Sequence, residues 1–242
     1  MKRKYAIGAA IFLILCGICI WFLFPHGKPP EPVVLPEQEA VEPGEPEEPY
    51  ISPIDFETLQ KQNPDIYAWL SIPGTEVSYP VLQNAEDDTL YLNNNVDRKP
   101  WVGGALFTEH AYNSTDFHDP VNIIYGHYLF SGEMFGRLQE LYSDDYSEID
   151  ELIVYLPHEE LHYRVFAGTP YSARHILYYY DKFQNHACIV EFVQDLFSTR
   201  AIGANVDTDC DITEEDHLLV LSTCLRGDYS RRFLVVGKLI NS

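Results

Sequence analysis

The chain has 242 residues and a formal net charge of -21 at pH 7, with 37 aspartates and glutamates against 16 lysines and arginines. Nucleic acids and anionic bilayer faces are bound through basic patches, so a surface this acidic argues against both as partners. Cysteine is sparse, which is not typical of a scaffold stapled by disulfides.

The N-terminal segment predicts a membrane anchor. Residues 1–4 are basic, and an apolar run follows over residues 5–24. About 20 such residues span roughly 30 Å, the thickness of the hydrocarbon core of a bilayer. The run ends in bulky side chains rather than in the small-residue cleavage site of a signal peptide, so we expect an uncleaved transmembrane helix. The positive charges before it place the N-terminus in the cytoplasm and the rest of this single-pass chain outside the cell.

Residues 25–49 are rich in proline and glutamate and have no hydrophobic period. Such a linker is extended, at about 3.1 Å per residue, and could hold a domain up to roughly 75 Å from the membrane. Residues 50–242 are long enough for one domain with a sizeable core. We therefore predict a basic stub and membrane anchor (1–24), a linker (25–49) and an extracellular domain (50–242).

The external domain alternates short apolar runs with turn residues, a pattern typical of β-strands. About eight strands are predicted, at residues 66–72, 77–82, 104–108, 121–125, 151–155, 161–167, 217–221 and 233–240. Helical spacing of apolar residues predicts helices at 55–62, 133–141 and 181–197. Strands interrupted by a few helices indicate a mainly β fold, a barrel decorated by helices.

Three residues next to predicted strands are suited to acyl transfer. Cys224 ends one apolar strand, Arg232 stands at the head of another, and His127 follows a third. A thiolate is a strong nucleophile, an imidazole transfers protons near neutral pH, and a guanidinium stabilises an oxyanion. Taken alone, each residue is better explained without catalysis: Cys224 as a buried thiol, His127 as a structural histidine and Arg232 as part of a surface ion pair. Neighbours on a strand point to opposite faces, so only one of Arg231 and Arg232 can serve such a site.

The same residues carry a resemblance to a known family. Leu221-Ser222-Thr223-Cys224 resembles the Leu-x-Thr-Cys motif of sortases, Tyr125-Gly126-His127 resembles their histidine motif, and Arg232 resembles their arginine, in the same order along the chain. The resemblance covers most of residues 50–242. Further segments are similar to class B sortases: Asn63-Pro64-Asp65, Trp69, Ile72-Pro73-Gly74-Thr75, Tyr79-Pro80-Val81, Tyr91-Leu92 and Met134-Phe135-Gly136.

The resemblance implies an eight-stranded sortase-type β-barrel with inserted helices and a cysteine transpeptidase of Gram-positive cell surfaces. Cys224 would cleave the C-terminal sorting signal of a secreted protein, of the Asn-Pro-x-Thr type, at the Thr carbonyl and form a thioacyl enzyme. His127 would act as general acid and then as general base, and Arg232 would hold the substrate carbonyl and the oxyanion. An amine of the peptidoglycan cross-bridge or of a pilin would resolve the thioacyl enzyme. Ser222 matches a position that can contact substrate in class B enzymes, although a plain strand serine is an equal alternative.

The chain departs from the family pattern at two positions. Val220 stands where threonine is frequent, and Tyr128 stands where asparagine often follows the histidine, but neither departure removes a catalytic group. A membrane-anchored cysteine protease is an alternative, since only the acceptor, water instead of an amine, differs. Papain-like enzymes, however, place the cysteine before the histidine in the chain. A non-catalytic surface adhesin would explain the anchor and linker but would leave the three motifs without a role.

A polar segment offers another site to consider. This segment contains five side chains of types that ligate cations: Glu109, His110, Asp116, His118 and Asp119. Their spacing matches no fixed ligand pattern, so we expect a solvated loop and predict no metal or other cofactor.

The cysteines outside the apolar run are Cys188, Cys210 and Cys224. Because their number is odd, at least one external thiol must be free. A disulfide between Cys188 and Cys210 stays open at this point.

Overall fold

The computed structural model describes residues 50–143, 146–147 and 150–241. The predicted anchor (1–24) and linker (25–49) lie outside these residues. Within the described ranges, no helix combines the length and the apolar character needed to cross a bilayer.

Strands dominate the described residues, and four short helices lie between them. The helices are α1 (Phe56–Gln62), α2 (Leu138–Leu141), α3 (Ile176–Tyr179) and α4 (Ala187–Phe197), with 3-10 turns at Leu90–Leu92 and Asp181–Phe183. The strands are β1 (Ile66–Ser71), β2 (Ser78–Leu82), β3 (Leu106–Phe107), β4 (Val121–Tyr125), β5 (Tyr142–Ser143), β6 (Tyr146–Ser147), β7 (Glu151–Tyr155), β8 (Glu160–Ser172), β9 (Asn205–Val206), β10 (Leu218–Leu225) and β11 (Asp228–Asn241).

Eight of these strands close into a barrel. The hydrogen-bonded order is β11-β10-β4-β3-β2-β1-β7-β8, and an antiparallel pairing of β8 with β11 closes the ring. β9 extends the sheet beyond β8, and β5 pairs with β6 in a separate two-stranded sheet. The predicted eight-stranded barrel is therefore confirmed, and its closure leaves few exposed strand edges.

Alternation along the strands builds two apolar layers. On β10 and β11, Leu221 and Val235 face the barrel interior, where they join buried residues from strands around the ring. Their neighbours Val220 and Val236 face outward and pack with Phe192 of α4. The segment between β8 and β9 thus covers the outer face of β10 and β11, because a period of two sends successive side chains to opposite sides of a sheet.

Two helices are shorter than the sequence predicts. The 133–141 segment is helical only over Leu138–Leu141, because Met134 has a φ of 51°, a left-handed conformation that a right-handed helix cannot contain. The 181–197 segment is interrupted in the same way, since Asp181, Lys182 and Phe183 have φ values of 48°, 55° and 56°. Helix α4 therefore begins only at Ala187.

Candidate active site

The parallel pair β4–β10 brings the histidine and cysteine motifs together. Ser222 is in register with Tyr125, and the backbone N–H of Gly126 donates to the carbonyl of Ser222 at 3.1 Å. His127 follows directly after this last bond, and Cys224 lies two residues beyond Ser222. A period of two puts Cys224 on the same face of β10 as Ser222.

The nucleophile candidate lies inside β10, one residue before the strand ends. β10 continues to Leu225, and Cys224 is in register with Arg232, the fifth residue of β11. The predicted strands 217–221 and 233–240 were too short at this end of the hairpin. The two side chains therefore form a cross-strand pair, the arrangement in which side chains interact most directly in a sheet.

The guanidinium of Arg232 is held beside the thiol. Its Nη1 lies 3.9 Å from Cys224 Sγ and donates to the carbonyls of Tyr229 and Arg231, each at 3.3 Å. In the described part of the chain its hydrogen bonds all run through Nη1, so Nε and Nη2 keep their donors for another group. A fixed cation at this place can stabilise negative charge that develops beside the sulfur during a reaction.

The His127 ring is oriented by a backbone carbonyl. Nε2 of His127 lies 2.7 Å from the carbonyl oxygen of Leu92, at the end of the 3-10 turn before β3. A carbonyl can only accept a hydrogen bond, so we assign the Nε2 proton to this contact. Nδ1 is then the ring nitrogen that can take up and release a proton.

The three catalytic candidates and Ser222 line one small cavity. Its volume is about 100 Å³, and its walls come from Leu92, Phe107, Tyr125, Gly126, His127, Ser222, Thr223, Cys224 and Arg232. Clefts of about 330 and 610 Å³ exist elsewhere, but their walls contain none of these four residues. The chemistry, not the size, identifies the smaller cavity as the candidate site.

Tyr125 connects the floor of this cavity to the covering helices. Burial raises the pKa of its phenol far above the ordinary value, and the nearby negative charge of Glu109 raises that pKa further. The Tyr125 hydroxyl therefore stays protonated. Glu109 is also 2.9 Å from Nε2 of His175, whose Nδ1 caps α3 by accepting from the Tyr178 N–H. The sequence identified Tyr125 only as part of the histidine motif. Because Tyr125 stands two residues before His127, the period of two of extended chain indicates that both side chains lie on one face.

The polar segment considered for a metal is held together internally. The Asp119 carboxylate accepts from the Ser114 N–H at 2.6 Å, and Asp116 accepts from the Ser114 hydroxyl at 2.6 Å. Among the described residues, no group of three or more His, Cys, Asp or Glu side chains is arranged to hold a metal ion.

The three cysteines of the described residues are free thiols. Cys210 is buried and lies 3.0 Å from a guanidinium nitrogen of Arg164. The disulfide that the sequence left open is therefore not formed in this structure.

Known proteins resemble this chain in sequence over most of the domain. The model of the sortase domain matches residues 70–240. The chain belongs to the sortase family. It is 29% identical to sortase B of Listeria monocytogenes over 189 residues, which cover 77% of this chain and 74% of that protein. Against sortase B of Staphylococcus aureus the identity is 26% over 188 residues, 76% and 74% of the two chains.

Solved structures extend the likeness to the fold of this sortase. A Staphylococcus aureus sortase B–substrate complex superposes with a TM-score of 0.64 at 26% identity, covering 77% of this chain and 84% of that one. A Streptococcus pyogenes class B sortase involved in pilus biogenesis also gives 0.64, at 22% identity, covering 77% and 98%. The sortase B proteins of Listeria monocytogenes and Staphylococcus aureus and the family match identify the chain as a class B sortase, a class of cysteine transpeptidases.

Proposed function

We propose that this sortase cleaves an Asn-Pro-x-Thr-like sorting signal near the C-terminus of secreted proteins and transfers the new Thr acyl end to an amine. The observation that carries this proposal is the pairing of Cys224 Sγ with Arg232 Nη1 at 3.9 Å in a cavity that His127 also lines. These three groups match the needs of acyl transfer: a nucleophile, a proton carrier and a donor for developing negative charge.

In the first half-reaction the Cys224 thiolate attacks the Thr carbonyl carbon. The carbonyl electron pair moves onto oxygen, and the guanidinium of Arg232 stabilises this oxyanion. Collapse of the tetrahedral intermediate breaks the peptide C–N bond, and the leaving nitrogen takes a proton from Nδ1 of His127. The products are a thioester on Cys224 and a free amine on the released C-terminal fragment.

In the second half-reaction an amine attacks the thioester carbon. His127, now neutral, accepts the proton that the attacking nitrogen loses, and Arg232 again stabilises the oxyanion. Departure of the Cys224 thiolate restores the starting state and leaves a new amide bond. We propose an amine of the peptidoglycan cross-bridge or of a pilin as the acceptor.

The contact with the Leu92 carbonyl is compatible with the use of one imidazole first as general acid and then as general base. It holds Nε2–H in both half-reactions, so Nδ1 cycles between protonated and neutral while the ring keeps its orientation. Ser222, which is 5% exposed and lines the same cavity, is our candidate for a contact with the bound signal.

The proposed setting is the outer face of a Gram-positive cell membrane. Residues 5–24 would anchor the chain in the lipid bilayer, with the N-terminus inside and the catalytic domain outside. An acidic linker would hold the domain near the cell wall, where an amine acceptor is available.

The test is turnover of a library of quenched pentapeptide signals by the full-length chain in detergent micelles, with and without a short amine acceptor. We expect cleavage of Asn-Pro-x-Thr-like members, transfer to the amine, and no turnover by Cys224→Ala. Unchanged turnover by that variant would reject Cys224 as the nucleophile. Cleavage that never leads to transfer would favour the alternative, a membrane-anchored cysteine protease that uses water.

A further inference from the structure

The nucleophile lies where the regular sheet stops. The β10–β11 pairing runs without interruption to Cys224 and Arg232 and then shifts, so that the next pair is Leu225 with Asp228. The turn that follows contains Gly227, whose φ of 81° is a left-handed conformation. Sheet hydrogen bonds alone therefore fix the backbone after Cys224 less completely than the backbone before it.

One side chain supplies hydrogen bonds at this point. The Gln139 amide donates from Nε2 to the carbonyl of Cys224 at 3.2 Å and accepts at Oε1 from the N–H of Arg226 at 2.9 Å. A carbonyl can only accept and an N–H can only donate, so the two bonds together determine the orientation of the amide. Gln139 thus bridges the backbone on both sides of the irregularity.

The helix that carries Gln139 is packed into the barrel core. Gln139 belongs to α2, whose Leu138 and Leu141 are 0% and 4% exposed in the barrel core. The same segment is tied to the histidine, because the N–H of Phe135 donates to the carbonyl of His127 at 3.1 Å. Hydrogen bonds therefore connect the segment of Phe135 and α2 to the backbone of both His127 and Cys224.

The neighbouring residue offers a matched comparison. Glu140, on the same turn of α2, forms an ion pair with Arg226 at 3.0 Å, but both side chains are more than half exposed. Exposed ion pairs contribute little, so this contact should not fix the backbone of the nucleophile.

We propose that Gln139 is a positioning residue that fixes the backbone of Cys224 and thereby sets the thiol against Arg232 and His127. The proposal rests on the proposed role of Cys224 as nucleophile. The amide touches no reacting atom. It acts on the rate because small displacements of a catalytic group weaken a reaction that depends on close approach.

The experiment compares four full-length chains in detergent micelles: wild type, Gln139→Met, Gln139→Glu and Glu140→Gln. Methionine has a similar length but forms neither hydrogen bond, whereas glutamate keeps the acceptor for Arg226 and loses the donor to Cys224. Three quantities are measured: kcat and KM with a cleaved signal peptide, the rate of Cys224 alkylation by iodoacetamide from peptide mass spectrometry, and the melting temperature.

We expect Gln139→Met and Gln139→Glu to lower kcat by about tenfold to a hundredfold with KM changed by less than about twofold. Alkylation of Cys224 should slow by about threefold or more, because a displaced sulfur no longer lies beside the Arg232 guanidinium. Glu140→Gln should match wild type in all three measurements. If Gln139→Met does not fold, Gln139→Glu alone decides.

An unchanged kcat and alkylation rate in the Gln139 variants overturns the proposal. So does an equal loss in Glu140→Gln, which would assign the effect to general stability of this turn. If the wild type cleaves no peptide, the proposed function fails, but alkylation of Cys224 still decides whether Gln139 positions the thiol.

Discussion

Replacement of Arg232 by lysine separates charge from geometry at the site. Nη1 of Arg232 lies 3.9 Å from Cys224 Sγ, and two backbone carbonyls hold the same nitrogen. The ammonium of a lysine at that place would still attract a negative charge on the Cys224 sulfur. Two unit charges about 4 Å apart interact by about 4 kcal/mol at an effective dielectric constant of about 20. The ammonium lacks the further nitrogens that would meet the oxyanion while Nη1 stays on the carbonyls.

The expected loss is therefore that of an oxyanion donor, not that of the cation. Such losses lower kcat by about 100-fold to 1,000-fold, so we expect about 100-fold for Arg232→Lys with little change in KM. Arg231→Lys is the matched control, because Arg231 is the preceding residue of β11 and points to the other face. Steady-state cleavage of a quenched signal peptide measures both. Full activity of Arg232→Lys, or an equal loss in the control, would refute an oriented oxyanion role.

Two further predictions test the surroundings of the site and the barrel. A Cβ on Gly126 would lie 2.6 Å from Cδ2 of the fully buried Phe135 ring. Gly126→Ala should therefore displace the adjacent His127 and lower kcat by about tenfold or more, and retained activity would contradict the tight packing. His162 lies 2.7 Å from Glu151 and 3.2 Å from Glu160; burial lowers its pKa, but the two glutamates more than offset this and raise it above the ordinary value. The stabilisation of charged His162 by the two glutamates adds fully to the free energy of unfolding below about pH 6.5 and is lost as the pH rises through the folded pKa of His162. It should be less than about 1 kcal/mol, because the site is partly exposed. Chemical denaturation should show a decline in stability as the pH rises above about 6.5 that His162→Gln removes, and an identical slope in the variant would contradict this.

The strands of the barrel could be predicted because their apolar runs are short, alternate and end at turn residues. The closing pairing of β8 with β11 could not be read from either run, since periodicity shows which face is buried but not which strand lies beside it. The strand containing Cys224 extends past its apolar part. Its polar end is stabilised by pairing with β11, a tertiary contact that overrides local composition.

The candidate site also has a part that the sequence predicts and a part that it does not. A motif resemblance was enough to select His127, Cys224 and Arg232, and the structure brings them to one cavity. The partners that orient them were not predictable. Leu92 acts through its backbone carbonyl, which any residue possesses, and Gln139 is 85 residues from the carbonyl that it contacts.

The acyl enzyme can be detected by intact-mass and peptide mass spectrometry of the full-length chain after brief exposure to a cleaved signal peptide, without an amine acceptor. We predict one acyl adduct, equal in mass to the signal up to its Thr residue, on Cys224. The adduct should persist in Cys188→Ala and Cys210→Ala, disappear in Cys224→Ala, and be released when an amine is added. An adduct on another cysteine, or turnover of the peptide with no dependence on Cys224, would contradict this prediction.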